Sequence, residues 1–291
     1  MIDLHSHSTA SDGTFTACEL IKYAKSKNLK GLAITDHDTC AGLKEGQAQA
    51  KKEGLIFIPG IEISIQWPTG EFHLLGLGLQ KLSPGLEKIC AAREKSRQIR
   101  NLTIAEKLNQ SGIKISLEEL ESKFNTKNIG RPHFAQLMVE KGYVKHRQDA
   151  FDRYFAKGRP CFVNMEGADL EEACLAIRTS GGIPVQAHPL SMYVSWGKME
   201  DTIKLVVSKG VMGLEAWHPG VRVAEAMRLE GLSKKLGLIC TGGSDFHGEK
   251  VRADRKLGYT AGKKQLDDHF YEEELLPLWQ KVSGKEKMHF E

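Results

Sequence analysis

A chain of 291 residues with 41% hydrophobic and 27% charged residues is long enough to bury a substantial core and too apolar to be disordered throughout. No apolar run reaches the roughly 18–20 residues of a membrane span, and the start Met1-Ile2-Asp3-Leu4-His5 has no signal-peptide character. The net charge of +4 conceals an asymmetry. Residues 81–159 hold 17 Lys and Arg against 9 Asp and Glu, a local +8, and the remainder carries −4. A basic segment in a mildly acidic frame suits two readings equally on charge alone, two surfaces that meet one anionic ligand or a solvated helix surface.

In chain order, Ile2 to His5 reads as a strand, and Thr16 with Glu19 has capping-box spacing for a helix to about Asn28. Gly31 to Ile34 is a second strand and Ala41 to Glu53 a second helix, stopped by Gly54. A third strand, Leu55 to Ile65, is expected to be interrupted at Pro59-Gly60, and Phe72 to Leu79 is a fourth. A long charged helix from Leu86 to Asn109 follows, then a capped segment at Ser116 and Glu119, then a helix with Pro132 in its first turn that ends near Gly142. Residues 83–160 show no strand pattern and read as a helical insertion between barrel segments 1–82 and 161–291. Beyond it, Asp169 with Glu172 opens a helix that Gly181-Gly182 ends. Strands follow at Ile183 to Ala187, Val211 to Ala216 and Leu238 to Thr241, the last two separated by a helix from Arg222 to Lys235. The alternation predicts a parallel α/β barrel or sheet. The tail from Ala261 to Glu291 offers no motif, and Glu272-Glu273-Glu274 reads as a solvated face.

Six cysteines (Cys18, Cys40, Cys90, Cys161, Cys174, Cys240) form no CxxC pair, which suits reduced, mostly buried thiols in a cytoplasmic protein. The histidines carry more. Of eleven, His5, His7, His37, His188 and His247 fall at or just past the end of an expected strand, and His73 sits near the start of one. In α/β barrels sites assemble at strand ends. Residues two apart on a strand point the same way, so His5 and His7 can grip one ion. Asp12 lies in a turn, Thr35-Asp36-His37-Asp38 crowds ionisable groups at a strand end, and Glu62 is a carboxylate in an apolar run. Gln186-Ala187-His188-Pro189 and Gly243-Ser244-Asp245-Phe246-His247 repeat the theme. Six imidazoles with three carboxylates and no thiolate suit Mn, Fe or Zn, and nine donors suit two or three ions. No nucleophile elbow, Walker loop or dinucleotide fingerprint competes, and Gly76-Leu77-Gly78 lacks the context of one. Metal-activated water is the expected nucleophile.

The series His5-x-His7, Asp12, Thr35-Asp36-His37-Asp38, Gly60-Ile61-Glu62, His73, Ala187-His188-Pro189 and Gly243-Ser244-Asp245-x-His247 resembles the PHP (polymerase and histidinol phosphatase) family. The resemblance implies a distorted (β/α)7 barrel with a trinuclear centre. In it His5, His7, Glu62 and Asp245 hold one metal, Glu62, His73 and His188 a second, and Asp12, His37 and His247 a third. Glu62, His188 and Asp245 would be catalytic, and manganese is the favoured ion. The insertion is similar to that of the bacterial 3′,5′-nucleoside bisphosphate phosphatase and RNase AM subgroup, on Arg97, Arg100 and Gly130-Arg131-Pro132-His133-Phe134-Ala135. Arg93, Arg97 and Arg100 share one helix face by spacing, and Arg93 reads as a solvated charge. Arg131 and His133 flank a proline at a helix start, which favours a phosphate.

By that likeness Arg97, Arg100, Arg131 and His133 bind substrate. The activity implied is hydrolysis of the 3′-phosphate of nucleoside bisphosphates such as pAp to 5′-monophosphates, with 5′→3′ cutting of short 5′-phosphorylated RNA by the same metal-activated hydroxide. No membrane and no obligatory protein partner enters. A histidinol-phosphate phosphatase shares the barrel but does not need a basic insertion of this size. A nucleic-acid-binding PHP module would be favoured by missing ligands, and none is missing. A metal-dependent amidohydrolase, which also starts from an HxH strand, ranks last because no lysine lies in a matching position. Glu215 and His218 follow the same strand-end logic without an assigned role.

Overall fold

The computed structural model describes residues 1–291 except 125, 250 and 253. The chain divides into two compact units, one of Met1–Cys90 with Gly167–Glu291 and one of Ala91–Glu166.

Among the described residues of the larger unit seven strands follow one another round the sheet in chain order: β1 (Ile2–Asp3), β2 (Gly31–Ile34), β3 (Ile56–Ile65), β4 (Phe72–Leu77), β5 (Ile183–Ala187), β6 (Gly213–Trp217) and β7 (Ile239–Gly242). A parallel bridge between Ser6 and Phe246 joins the residues beyond β1 and β7, so the sheet curls into a nearly closed barrel. Three expectations need correction. The sheet is not all parallel: β4 runs antiparallel to both β3 and β5. This reversal places the start of β4 beside the ends of its neighbours, with His73 opposite Ser64 and Ala187. It explains why a histidine at a strand start belongs with histidines at strand ends. Nor does Pro59 interrupt β3. It takes the last rung opposite Ile34, and its carbonyl accepts from the backbone N–H groups of Gly78 and Leu79, so its missing donor falls where the β2 ladder runs out. The first strand is shorter than expected, because beyond Asp3 the backbone leaves the ladder to present His5 and His7.

Helices α1 (Ala17–Ser26) and α2 (Leu43–Glu53) follow β1 and β2. Thr16 and Glu19 form the anticipated capping box on α1, and Gly54 ends α2 in the left-handed conformation that glycine tolerates. Pairing with the second half of the barrel are α7 (Leu170–Thr179), capped by Asp169, α8 (Trp196–Ser208) and α9 (Val223–Lys235). The helix α8 had no sequence signal that set it apart from its surroundings.

Strand alternation sorts the apolar residues into two clusters. Ile61, Ile63 and Leu74 join Leu20, Ile21, Ile177 and Ile203 of the helices. Ile58, Leu75, Leu77, Ile183 and Val185 instead meet Leu275 and Trp279. The supposedly featureless tail therefore completes a core. Residues Phe270–Leu275 and α10 (Leu276–Ser283) seal the barrel end away from His73, where Trp279 is fully buried and donates from Nε1 to the Gly78 carbonyl at 2.7 Å. Gly78 has φ +78°, and a side chain there would strike the indole. Glu272 and Glu273 are solvated as expected, but Glu274 accepts from the Cys240 backbone N–H at 3.2 Å. Trp279→Ala should lower unfolding free energy by about 3–5 kcal/mol, measured by urea denaturation, because it leaves a large cavity and an unmatched carbonyl.

The smaller unit contains most of α3 (Pro84–Gln110), with α4 (Leu117–Phe124), α5 (Arg131–Glu140) and α6 (Arg147–Ala150) running into a π-helical turn, Phe151–Phe155. Among its described residues there is no strand. Ile104, Leu108, Leu120, Phe134, Met138 and Phe155 form its own core. All six cysteines are free, three buried and three half-buried, and no described helix is long and apolar enough to cross a membrane.

Candidate metal centre

Glu62 organises the site. It projects from β3 on the same alternation as Ile58, fully buried, and its two oxygens face different imidazoles. Oε1 lies 2.9 Å from His73 Nδ1 and 3.1 Å from His188 Nε2. Oε2 lies 3.0 Å from His37 Nδ1 and 3.3 Å from both His5 Nε2 and His7 Nε2. Asp245 Oδ1 approaches His7 Nε2 at 3.2 Å and His5 Nε2 at 3.5 Å, and Asp12 Oδ1 is 3.3 Å from His247 Nε2 and 3.9 Å from His37 Nε2.

All nine residues singled out as metal ligands thus lie together. Among the described residues, eight of them fall into three groups whose donor atoms lie within 4.8 Å of one another: His5, His7, Glu62 and Asp245; His7, Asp12, His37 and His247; and His37, Glu62 and His73. The first is the set implied by the resemblance. The others differ in detail, because His7 joins the Asp12 group, His37 stands with Glu62 and His73, and His188 falls outside the three groups, with its Nε2 3.1 Å from Glu62 Oε1.

Local structure supports these positions. The Asp12 turn is held by Asp36, which is buried and accepts from the Ser8 backbone N–H at 2.7 Å, Ser8 Oγ at 2.6 Å and Ser11 Oγ at 2.6 Å. Asp36 therefore has protein partners for its charge and supports a neighbour that faces the centre. Asp38, at φ 57°, accepts from the Ser64 N–H at 3.1 Å and brackets His37. His188 and Asp245 also have positive φ, 29° and 49°, and such conformations cluster where a site over-determines the backbone. The His188 ring is steered by Ser191 Oγ, 2.9 Å from Nδ1.

Glu215 and His218, left without roles by sequence, now have contacts. Glu215 Oε1 lies 2.8 Å from His5 Nδ1 and turns the His5 Nε2 toward Glu62, while Oε2 accepts the His188 backbone N–H at 2.9 Å. His218 Nε2 is 3.2 Å from Asp245 Oδ2. Arg255, which sequence reading missed, pairs with the same oxygen. It belongs to no motif, and only the fold brings it there.

The electrostatics follow from burial and partners. Burial pushes the His5 imidazolium down, but Glu215 and Glu62 outweigh it and raise its pKa to about 10. Burial likewise opposes the Glu215 charge, yet His5 draws that carboxyl down to about 2. Glu62 is held well below the carboxylate range by His37, His5 and His73, again against its burial. For His37 burial wins, and the ring falls to about 3 despite Glu62 and Asp12.

The donor set suits cations. Glu62 Oε2 and Asp12 Oδ1 are buried without a hydrogen bond of acceptable geometry, although imidazole nitrogens surround them. His5 Nε2 and His7 Nε2 face each other at 3.1 Å, where at most one proton fits between them. Lone pairs converging in this way match a cluster of divalent ions bound by nitrogen and oxygen.

In the smaller unit Arg93, Arg97 and Arg100 are all buried. Arg93 is therefore not the solvated charge expected: its Nη1 donates to the Glu166 carbonyl. Arg97 Nη1 donates to Asn128 Oδ1 at 2.8 Å, and Arg100 to Asn101 Oδ1 at 2.9 Å. His133 Nδ1 accepts the Gly130 N–H at 2.9 Å, which caps α5 beside the half-buried Arg131.

Residues 3–158 match the family model described as PHP domain. A 5′-3′ exoribonuclease of Haemophilus influenzae is 32% identical over 96% of this chain and 98% of its own length. A 3′,5′-nucleoside bisphosphate phosphatase of Chromobacterium violaceum is 32% identical over 98% of this chain and 97% of its own. A solved structure described as an amidohydrolase from Chromobacterium violaceum, with bound sulfate and no metal, superposes with a TM-score of 0.83 at 30% identity over 97% of this chain and 96% of that one. With a model match over more than half of its length and relatives similar from end to end, the chain belongs to the PHP domain family.

Proposed function

We propose that this protein hydrolyses the 3′-phosphate of 3′,5′-nucleoside bisphosphates such as pAp, and that short 5′-phosphorylated RNA is a related substrate. The chain is an enzyme, a metal-dependent hydrolase of phosphate esters. The observation that carries the reading is the convergence of six imidazoles on three carboxylates around Glu62. Near-full-length similarity to a bisphosphate phosphatase and an exoribonuclease supports the substrate class.

His5, His7, Asp12, His37, Glu62, His73, His188, Asp245 and His247 would hold two or three divalent ions, for which manganese is our choice over iron or zinc. Such ions supply Lewis acidity toward a phosphoryl oxygen and activate water at neutral pH. The protein's part is to fix the donors. Glu62 spans the cluster through its two oxygens, Glu215 sets the direction of His5, and Ser191 that of His188. In the reaction the oxygen of water attaches to the 3′-phosphorus, the bond from phosphorus to the 3′-oxygen breaks, and that oxygen leaves with a proton. Arg97, Arg100, Arg131 and His133 bind the second, 5′-phosphate through charge-assisted hydrogen bonds. Held by the same 5′-phosphate, an RNA would present its first phosphodiester for cutting. The free thiols fit a cytoplasmic location.

The test is an assay with Mn²⁺ against pAp, 3′-AMP, histidinol phosphate and a 5′-phosphorylated short RNA, each with an EDTA control. Preference for pAp or the RNA over 3′-AMP supports the reading. Preference for histidinol phosphate keeps the metal centre and discards the nucleotide, and turnover of none of them contradicts the reading altogether.

A further inference from the structure

We propose that Arg255 and His218 are positioning residues that lock Asp245 with one carboxylate oxygen turned toward the imidazole cluster, an inference that rests on the metal-centre reading above. The two oxygens of Asp245 have separate surroundings. Oδ1 faces His7 Nε2 at 3.2 Å, His247 Nδ1 at 3.4 Å and His5 Nε2 at 3.5 Å. Oδ2 faces away from them, onto His218 Nε2 at 3.2 Å and the Arg255 guanidinium.

Both partners are themselves fixed. His218 Nδ1 accepts the Gly220 backbone N–H at 3.0 Å, so a neutral ring carries its proton on Nε2 and donates it to Oδ2. Arg255 is only 7% exposed, and its Nη1 also lies 3.4 Å from the Asp245 carbonyl oxygen. One guanidinium thereby ties the side chain of Asp245 to its own backbone, at a residue whose φ of 49° needs support. Without these donors the carboxylate could rotate, and either oxygen, or both, could meet the cluster. Ligands held from behind in this way lose about 10–100-fold in metal affinity or activity when the support is removed.

The experiment compares wild type with Arg255→Gln, Arg255→Lys and His218→Ala. Isothermal titration of EDTA-stripped protein with Mn²⁺ gives affinity, and kinetics on pAp at saturating Mn²⁺ give kcat and KM separately. Arg255→Gln is expected to weaken Mn²⁺ binding by about 10–100-fold and to lower kcat with little change in KM. Arg255→Lys, which keeps the charge but not the fork, should recover part of the affinity, and His218→Ala should show a smaller loss of the same kind. Should Arg255→Gln fail to fold, those two variants carry the test. Unchanged Mn²⁺ affinity with a raised KM would place Arg255 on the substrate and overturn the proposal. Wild-type protein that takes up no Mn²⁺ overturns the metal-centre reading and this inference with it.

Discussion

Glu62→Gln is expected to cut turnover of pAp by about 10²–10⁴-fold and to lower the metal content of the purified protein. The amide keeps the shape of the side chain but removes the charge that five imidazole nitrogens approach within 3.3 Å. Breaking a buried charged network by removing one partner costs about 3–5 kcal/mol, and the same energy taken from transition-state stabilisation corresponds to the stated loss of rate. Because Glu62 lies in two of the three donor groups, its loss should deplete more than one ion. Elemental analysis with steady-state kinetics checks both effects, and circular dichroism confirms folding. A Glu62→Gln protein with normal metal content and normal turnover sinks the assignment of Glu62 as a metal ligand.

The second large effect is one of selectivity. Arg131→Ala should lower kcat/KM for pAp by about 10–100-fold, since a hydrogen bond to a charged group contributes about 1.5–3 kcal/mol. For 3′-AMP, which lacks the 5′-phosphate, the change should be under about threefold, within the range of an ordinary surface substitution. The contrast distinguishes a phosphate clamp from a general support of the inserted unit, because a destabilised insertion would harm both substrates alike. Equal losses would falsify the model of two phosphate pockets.

Much of this architecture was legible in the sequence because local chemistry repeats. Imidazoles at successive strand ends announce a shared site, and the motifs from His5 to His247 fall into one cluster in the structure. Helix boundaries were readable where a cap marks them, as at Thr16, Gly54 and Asp169. What could not be read depends on tertiary context. The reversed direction of β4 leaves no trace in composition, since an antiparallel buried strand reads like a parallel one. Trp279 lies in a stretch whose partners are some two hundred residues away. Arg93 looked like surface charge because its helix is rich in charge, yet the fold buries it against the Glu166 carbonyl. Arg255 sits in an irregular segment, and nothing nearby in sequence suggests that Asp245 is its partner.

Reconstitution of EDTA-stripped protein tests the central claim most directly. The stripped enzyme should be inactive on pAp, and activity should return in proportion to added Mn²⁺, saturating at two to three equivalents per chain, with 5′-AMP and inorganic phosphate as products. Undiminished hydrolysis by protein shown to contain no metal, or saturation without any turnover, would contradict it.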